Sequence, residues 1–210
     1  MRPTVHPETI DMIVAEYETD ADSRADEAAW WRAAGARFEK VIERAGKAEL
    51  WGKRHPHQRR IPARALAEGT AALLAVASRL SSAPDFLRLW WVVQAAFRPI
   101  RGLGELAVYD TAERLRYRLG LESEHVIFLH AGARVGARRL AGGRLPNESA
   151  WGIQRHEIPF GLRALSAHEI EDVLCIYKDE LLLTPAQFRE RRSGAARRPC
   201  SGAPEPRPGC

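Results

Sequence analysis

Cysteine, methionine and lysine are scarce in this 210-residue chain, and long apolar runs are missing. The three cysteines, Cys175, Cys200 and Cys210, cannot form a paired disulfide framework and lack the spacing of a zinc site. A reducing compartment, the cytoplasm, is therefore expected, with no metal and no cofactor. No apolar run approaches the roughly 18–20 residues that cross a bilayer, so no membrane partner is expected. The opening MRPTVHPETIDM carries no apolar core of the secretory kind, and no export signal is expected. Internal repeats at a fixed period are absent. Only four of the 32 basic residues are lysine (Lys40, Lys47, Lys53 and Lys178). Arginine suits phosphate through its fork geometry, although an alanine-rich composition also points to coding bias.

Apolar residues make up 45% of the chain and charged residues 28%, enough for one domain with a sizeable core. The net charge of +5 is unevenly distributed. Residues 1–30 carry eight acids against Arg2 and Arg24, net −6, and residues 31–64 carry ten bases against three acids, net +7. The stretch from Arg189 onward is +4, which leaves residues 65–188 neutral. The basic character thus belongs to one stretch and one tail.

Apolar spacing predicts helices for most of the length. Pro7–Glu18 forms a short acidic helix with Ile10, Ile13 and Val14 on one face, broken at Asp20-Ala-Asp22-Ser23. A second helix is expected from about Ala25 to Ala48, with Trp31, Ala34, Phe38, Val41 and Ala45 on one stripe. Residues 51–60, the most basic window, have no period and read as a loop. Pro62 opens a helix to Leu80. Pro84 opens another, from Asp85 to about Phe97, with Phe86, Leu89, Trp90, Val93 and Phe97 on its apolar stripe. Glu105 to Leu119 follows, with Gly120 as its left-handed stop. Val126–Leu129 reads as a short strand or buried connection, residues 132–140 as a short helix exposing Arg134, Arg138 and Arg139, and 141–158 as loop. Ser166-Ala-His-Glu169 is a capping box, which opens a helix with Ile170, Val173, Leu174, Tyr177 and Leu181 inward. Thr184-Pro-Ala-Gln187 starts a last helix by the same logic. Beyond Arg192 the chain is Pro-, Gly- and Arg-rich and reads as disordered.

The segment Phe97-Arg-Pro-Ile-Arg-Gly-Leu-Gly-Glu-Leu-Ala-Val108 places two glycines between two helices. It resembles the helix-hairpin-helix DNA-binding motif over about residues 86–119. The resemblance implies that Gly102 and Gly104 let the backbone approach a phosphate, that the following helix aims its free N–H groups at it, and that Arg98 and Arg101 flank it. Such contacts position a protein without reading sequence. Ile100 and Leu103 are expected to point inward. DNA glycosylases add a catalytic Asp to this hairpin, and some add a Lys within it. This hairpin has no Lys, and Asp110 comes too early for that role, so the activity is not implied. A structural corner is the competing reading, and Glu105 at the helix start counts against tight phosphate contact.

Elsewhere, Tyr109-Asp-Thr-Ala112, His130-Ala-Gly132 and Glu169-Ile-Glu-Asp172 through Ile176-Tyr-Lys-Asp179 resemble a stretch of bacterial proteins of no assigned activity. Tyr109, Asp110, His130, Glu171 and Asp172 are the candidates for acid–base work, if the chain brings them together. Each also has an ordinary reading. His130 fits a satisfied buried side chain. Glu169, Glu171 and Asp172 fit the positive end of a helix. Lys178 is spaced to pair with Glu171 or Asp172, and Asp110 with Arg114. Cys175, between Leu174 and Ile176, reads as a buried thiol without a base. His55-Pro-His57 makes a poor cation site amid basic residues. Trp30-Trp31 and Trp90-Trp91 each place one ring on an apolar stripe and leave one that stacks on bases or on helices.

These readings predict an all-α fold, a compact helical domain with a central helix-hairpin-helix and at most one short strand. An acidic helical segment (1–24) precedes the main domain (25–190), and a disordered basic tail (191–210) follows it. The expected function is nucleic-acid binding, DNA ahead of RNA, through Arg98, Arg101, Gly102 and Gly104, with Lys53, Arg54, Arg59 and Arg60 adding a basic patch. The rivals are an enzyme acting on nucleic acid through the Tyr/Asp/His/Glu set, and a helical scaffold that docks a protein through its N-terminal segment.

Overall fold

The computed structural model describes residues 4–33, 37–55, 58–122, 126–143, 145 and 151–194. Among them the chain is mainly helical, with two short antiparallel ladders. In order the elements are α1 (Pro7–Glu18), α2 (Ala21–Ala33), α3 (Phe38–Gly46), β1 (Glu49–Leu50), β2 (Lys53–Arg54), α4 (Ala63–Ala75), α5 (Ala77–Ser81), α6 (Phe86–Phe97), α7 (Glu105–Leu119), β3 (Val126–Phe128), α8 (Ala131–Leu140), β4 (Gly152–Gln154), α9 (Ala167–Ile176) and α10 (Pro185–Gly194).

Local chemistry sets the clearest boundaries. The Asp85 carboxylate accepts the Arg88 N–H at 2.7 Å and caps α6. Gly120 ends α7 at φ +66°, a conformation glycine adopts without strain. Ser166 and Glu169 make reciprocal backbone bonds at the start of α9, at 3.3 and 2.8 Å. Thr184 and Gln187 do the same for α10.

Two apolar clusters form. The first gathers α2 through α7 around Trp31, Leu73, Phe86, Leu89 and Phe97. The stripe predicted for α6 is buried throughout, worth about 1.5–3 kcal/mol for each fully buried side chain. The second cluster gathers α1, α8, α9 and α10 around Ile10, Ile13, Leu162, Ile170 and Leu174. Strand β3 joins them: Ile127 enters the second cluster and Phe128 the first, as alternation along a strand requires. It pairs with β4 through Ile127 opposite Ile153.

Several expectations need correction. The helix expected over 25–48 is two helices; α2 ends at Ala33 and α3 starts at Phe38. The helix expected from Pro62 to Leu80 breaks at Val76 into α4 and α5. The basic window holds β2, which turns back on β1 through Trp51 (φ +47°) and Gly52 (φ +75°), and the loop at 141–158 holds β4. The acidic helix α1 packs into the second cluster through buried Ile10, Ile13 and Tyr17. The C-terminal tail is helical through Gly194, with Arg191 on Glu180 at 3.4 Å and Arg192 on Glu16 at 2.9 Å. The disorder expected for the rest of the tail concerns residues 195–210, which lie outside the described residues. Arg134, Arg138 and Arg139 are half-buried rather than exposed; Arg134 donates to the Leu129 carbonyl at 2.8 Å.

Candidate functional site

The hairpin between α6 and α7 lies on α4. Leu103 is buried; a Cβ added to Gly69 of α4 would stand 2.7 Å from its Cδ1 and 3.1 Å from Phe97 Cε1. Gly69 thus makes the seat on which the hairpin rests. Gly102 takes φ +101°, which glycine tolerates and other residues resist. Gly104 caps α7 with ordinary extended geometry (φ −94°), and a Cβ there would meet nothing within 4 Å. The turn therefore requires Gly102, whereas a side chain at Gly104 would fill only open space beside the helix end. No side chain caps α7, and among the described residues the N–H groups of Glu105, Leu106 and Ala107 have no acceptor.

Arg98 and Arg101 are both exposed and neither meets a carboxylate among the described residues. A Cβ on Gly102 would lie 3.8 Å from Pro62 Cδ and 3.7 Å from Ala65 Cβ, so the hairpin abuts the start of α4. The basic window leads directly into that point. Arg59 and Arg60 are exposed just before it, and Arg54 of β2 donates to the Ile61 carbonyl at 3.2 Å. Lys53 is exposed beside Arg54. A cleft of about 350 Å³ opens beside the hairpin, lined by Trp90, Gln94, Arg98, Leu103, Gly104, Glu105 and Val108. Trp90 is mostly buried and Trp91 is 43% exposed. Glu105 is the opposing charge at this helix end, with its carboxylate 3.8 Å from Arg134.

The acid–base candidates divide. Asp110 faces away from the others: it accepts from Gln58 at 3.2 Å and pairs with buried Arg114 at 3.6 Å, the i,i+4 partner expected for it. Arg114 also donates to Gln58 at 3.0 Å, so this group ties the 55–60 stretch to α7. Tyr109, His130, Glu171 and Asp172 do come together, between the two clusters. The Tyr109 ring lies 5.4 Å from that of His130, and its hydroxyl 3.4 Å from His168 Nδ1. Burial, then the charge of Glu171, hold its phenol well above its ordinary range. Tyr17 donates to Asp172 at 2.9 Å. Burial and the adjacent Glu171 charge push Asp172 up to about 8. Next to this group, burial alone would raise Glu113, but His168 at 2.9 Å and Arg116 at 2.6 Å outweigh it and hold that carboxyl low.

His130 Nε2 engages the Glu171 carboxylate, which is 2% exposed. Its Nδ1 lies 3.3 Å from the Gly132 N–H and so caps α8. Burial works against charge on this ring, yet its hydrogen bonds to Cys175 and Glu171 prevail and raise it to about 10. Cys175 is half-buried rather than buried, and its Sγ and the His130 ring are the neighbours that a Cβ added to Gly132 would meet. Lys178 pairs with neither Glu171 nor Asp172, and donates to the Cys175 carbonyl at 3.2 Å.

The chain matches no family model, no curated protein and no solved structure. Chemistry and geometry therefore carry the functional reading. No group of three metal-ligating side chains is present among the described residues, and His57 lies outside them. Among the described residues no helix is long and apolar enough to cross a membrane. Sequence reasoning missed two participants, Cys175 and His168. The available signal was the spacing of Glu171 and Cys175, one helical turn apart and so on one face of α9.

Proposed function

We propose that this chain binds nucleic acid, DNA ahead of RNA, by holding backbone phosphate at the hairpin with little sequence preference. The observation that carries this reading is the pair of exposed arginines, Arg98 and Arg101, without carboxylate partners among the described residues, in the turn that leads into an uncapped helix start. Open N–H groups and a positive helix end favour an anion there. The basic stretch at 53–60 runs into the same corner through Pro62, which extends the positive face to a second phosphate run. The Trp90 cleft offers an aromatic wall for an unstacked base.

The test is binding of duplex and single-stranded DNA and RNA across a salt series. Six phosphate contacts by Lys53, Arg54, Arg59, Arg60, Arg98 and Arg101 give a slope of log affinity against log salt of about −5 on duplex DNA. Gly104→Val is the informative variant, since the open space around Gly104 leaves the fold intact while a side chain blocks phosphate approach. It is expected to weaken binding, as is Arg98→Ala/Arg101→Ala, and Glu105→Gln to strengthen it. Binding untouched by these changes but lost when the chain is stopped at Gly194 would reduce the interaction to generic attraction by the tail and overturn the reading.

A further inference from the structure

Two arginines just beyond β4 are pinned by main-chain carbonyls. Arg155 lies in the 3-10 turn Arg155–Glu157 and Arg163 in the turn Phe160–Ala164. Each side chain reaches across to the segment that carries the other. Arg155 Nη2 donates to the carbonyls of Arg163 and Leu165, both at 2.6 Å. Arg163 donates from Nε to the Ile158 carbonyl at 2.8 Å and from Nη2 to that of His156 at 2.6 Å. Carbonyl oxygens fix both guanidinium planes but leave both charges whole. The acids of this stretch are engaged elsewhere: Glu157 accepts the Gln154 N–H at 2.7 Å, and Glu169 the Ser166 N–H at 2.8 Å. Among the described residues neither arginine pairs with a carboxylate.

Both arginines line a cleft of about 330 Å³, together with Gln154 and His156. Arg155 is half-buried and Arg163 exposed, so a ligand reaches them from solvent. Gln154 uses its side-chain oxygen on the Glu157 N–H, and its amide NH2 remains as a donor. Arg163 uses the Nε–Nη2 edge. It keeps a second N–H on Nη2 beside those of Nη1, a fork that takes two oxygens at once. Arg155 keeps Nε and Nη1. The frame beneath is rigid, because Ile158, Leu162 and Leu165 of the two turns are buried in the second cluster. Fixed donors carrying two positive charges select an anion, and a dianion ahead of a monoanion. The volume is near the small end of ligand sites and holds a charged group with a body of about one ring.

We propose that this cleft binds a small organic phosphate monoester, with Arg163 and Arg155 on its phosphate. A monoester carries close to two negative charges and three free oxygens. Two oxygens fit the Arg163 fork and the third faces Arg155, so each cation is answered. A phosphodiester, the group in a nucleic-acid backbone, offers two free oxygens and one charge, and leaves one arginine without its share. The cleft thus differs from the hairpin in the class of ligand it takes. The proposal stands whether or not the hairpin binds nucleic acid.

The test uses the full chain, with phenyl phosphate as the probe at about pH 8, where the monoester is a dianion. The readout is protection of individual arginines from phenylglyoxal, mapped by mass spectrometry. Arg155 and Arg163 are expected to be protected together, while exposed Arg79 of α5 stays reactive. Methyl phenyl phosphate has the same ring but one phosphate oxygen esterified, and inorganic phosphate lacks the ring. Each should need about tenfold more for half-protection, the worth of one charged hydrogen bond or of the ring's burial. In Arg155→Gln, checked for fold by circular dichroism, half-protection of Arg163 should also need about tenfold more phenyl phosphate. Arg155→Lys keeps the charge and should fall between. Protection of Arg79 equal to that of the pair would overturn the proposal. So would a diester or inorganic phosphate as effective as the monoester, or unchanged protection of Arg163 in folded Arg155→Gln.

Discussion

Replacing Gly136 with alanine sets two effects of opposite sign against each other. In a helix interior alanine is favoured over glycine by about 1 kcal/mol. On propensity alone the variant should be the more stable protein. The packing of α8 on α9 says otherwise, because the new Cβ would stand 2.1 Å from the Leu174 carbonyl oxygen and 2.9 and 3.0 Å from its carbonyl carbon and Cα. A comfortable carbon–oxygen contact is roughly 3.3 Å or more, so α8 must retreat by about 1.2 Å. The obstacle is backbone of a neighbouring helix, which cannot rotate out of the way, and Leu174 is itself fully buried. Overpacking of this kind costs about 1–3 kcal/mol, and the rigid wall puts it near the upper end. The net expectation is a loss of about 2 kcal/mol, or a Tm lower by about 4–8 °C for a chain of this size. Thermal and urea unfolding followed by circular dichroism would measure it. A Tm at or above that of the unsubstituted chain would refute the claim that these helices touch through Gly136.

Arg114→Ala removes a buried guanidinium 3.6 Å from the Asp110 carboxylate and is expected to cost about 3 kcal/mol in urea unfolding; Asp110→Ala in addition should recover part of it. Asp172 keeps its proton to about pH 8 in the folded protein but releases it near its ordinary value when unfolded. The folded state thus binds more protons across that window, and this group's stabilisation is lost as pH rises from about 4 through 8. Asp172→Asn should flatten that slope, and an unaltered slope in the variant would show that other groups set it. Ser166→Ala removes one half of the α9 capping box and should cost about 1 kcal/mol, readable as a shift in urea midpoint without a change in m.

What was legible in the sequence was written locally. The bounds of α7 follow from Gly104, Gly120 and the apolar spacing between them, and the start of α9 from Ser166 and Glu169, because caps act within one turn. The gap between α2 and α3 was hidden, since Trp31, Phe38 and Val41 keep helical spacing across it. The ladders are two or three residues long, too short for alternation to show. At the candidate sites, neighbours in sequence misled in both directions. Tyr109 and Asp110 look like a pair, yet adjacent residues on a helix point about 100° apart, and only Tyr109 reaches His130. Cys175 looked solitary because His130 arrives from a different element, the start of α8.

The two-sided strand β3 bears on how the molecule comes apart. Ile127 and Phe128 are consecutive, yet each is sealed into a different apolar cluster. Slipping the β3–β4 register by one residue would send each side chain into the wrong cluster, so neither can loosen while the other stays closed. Two clusters joined this way are expected to melt as a single cooperative unit. Amide hydrogens of α6 and of α9 should then exchange with solvent through the same global opening, at one common free energy.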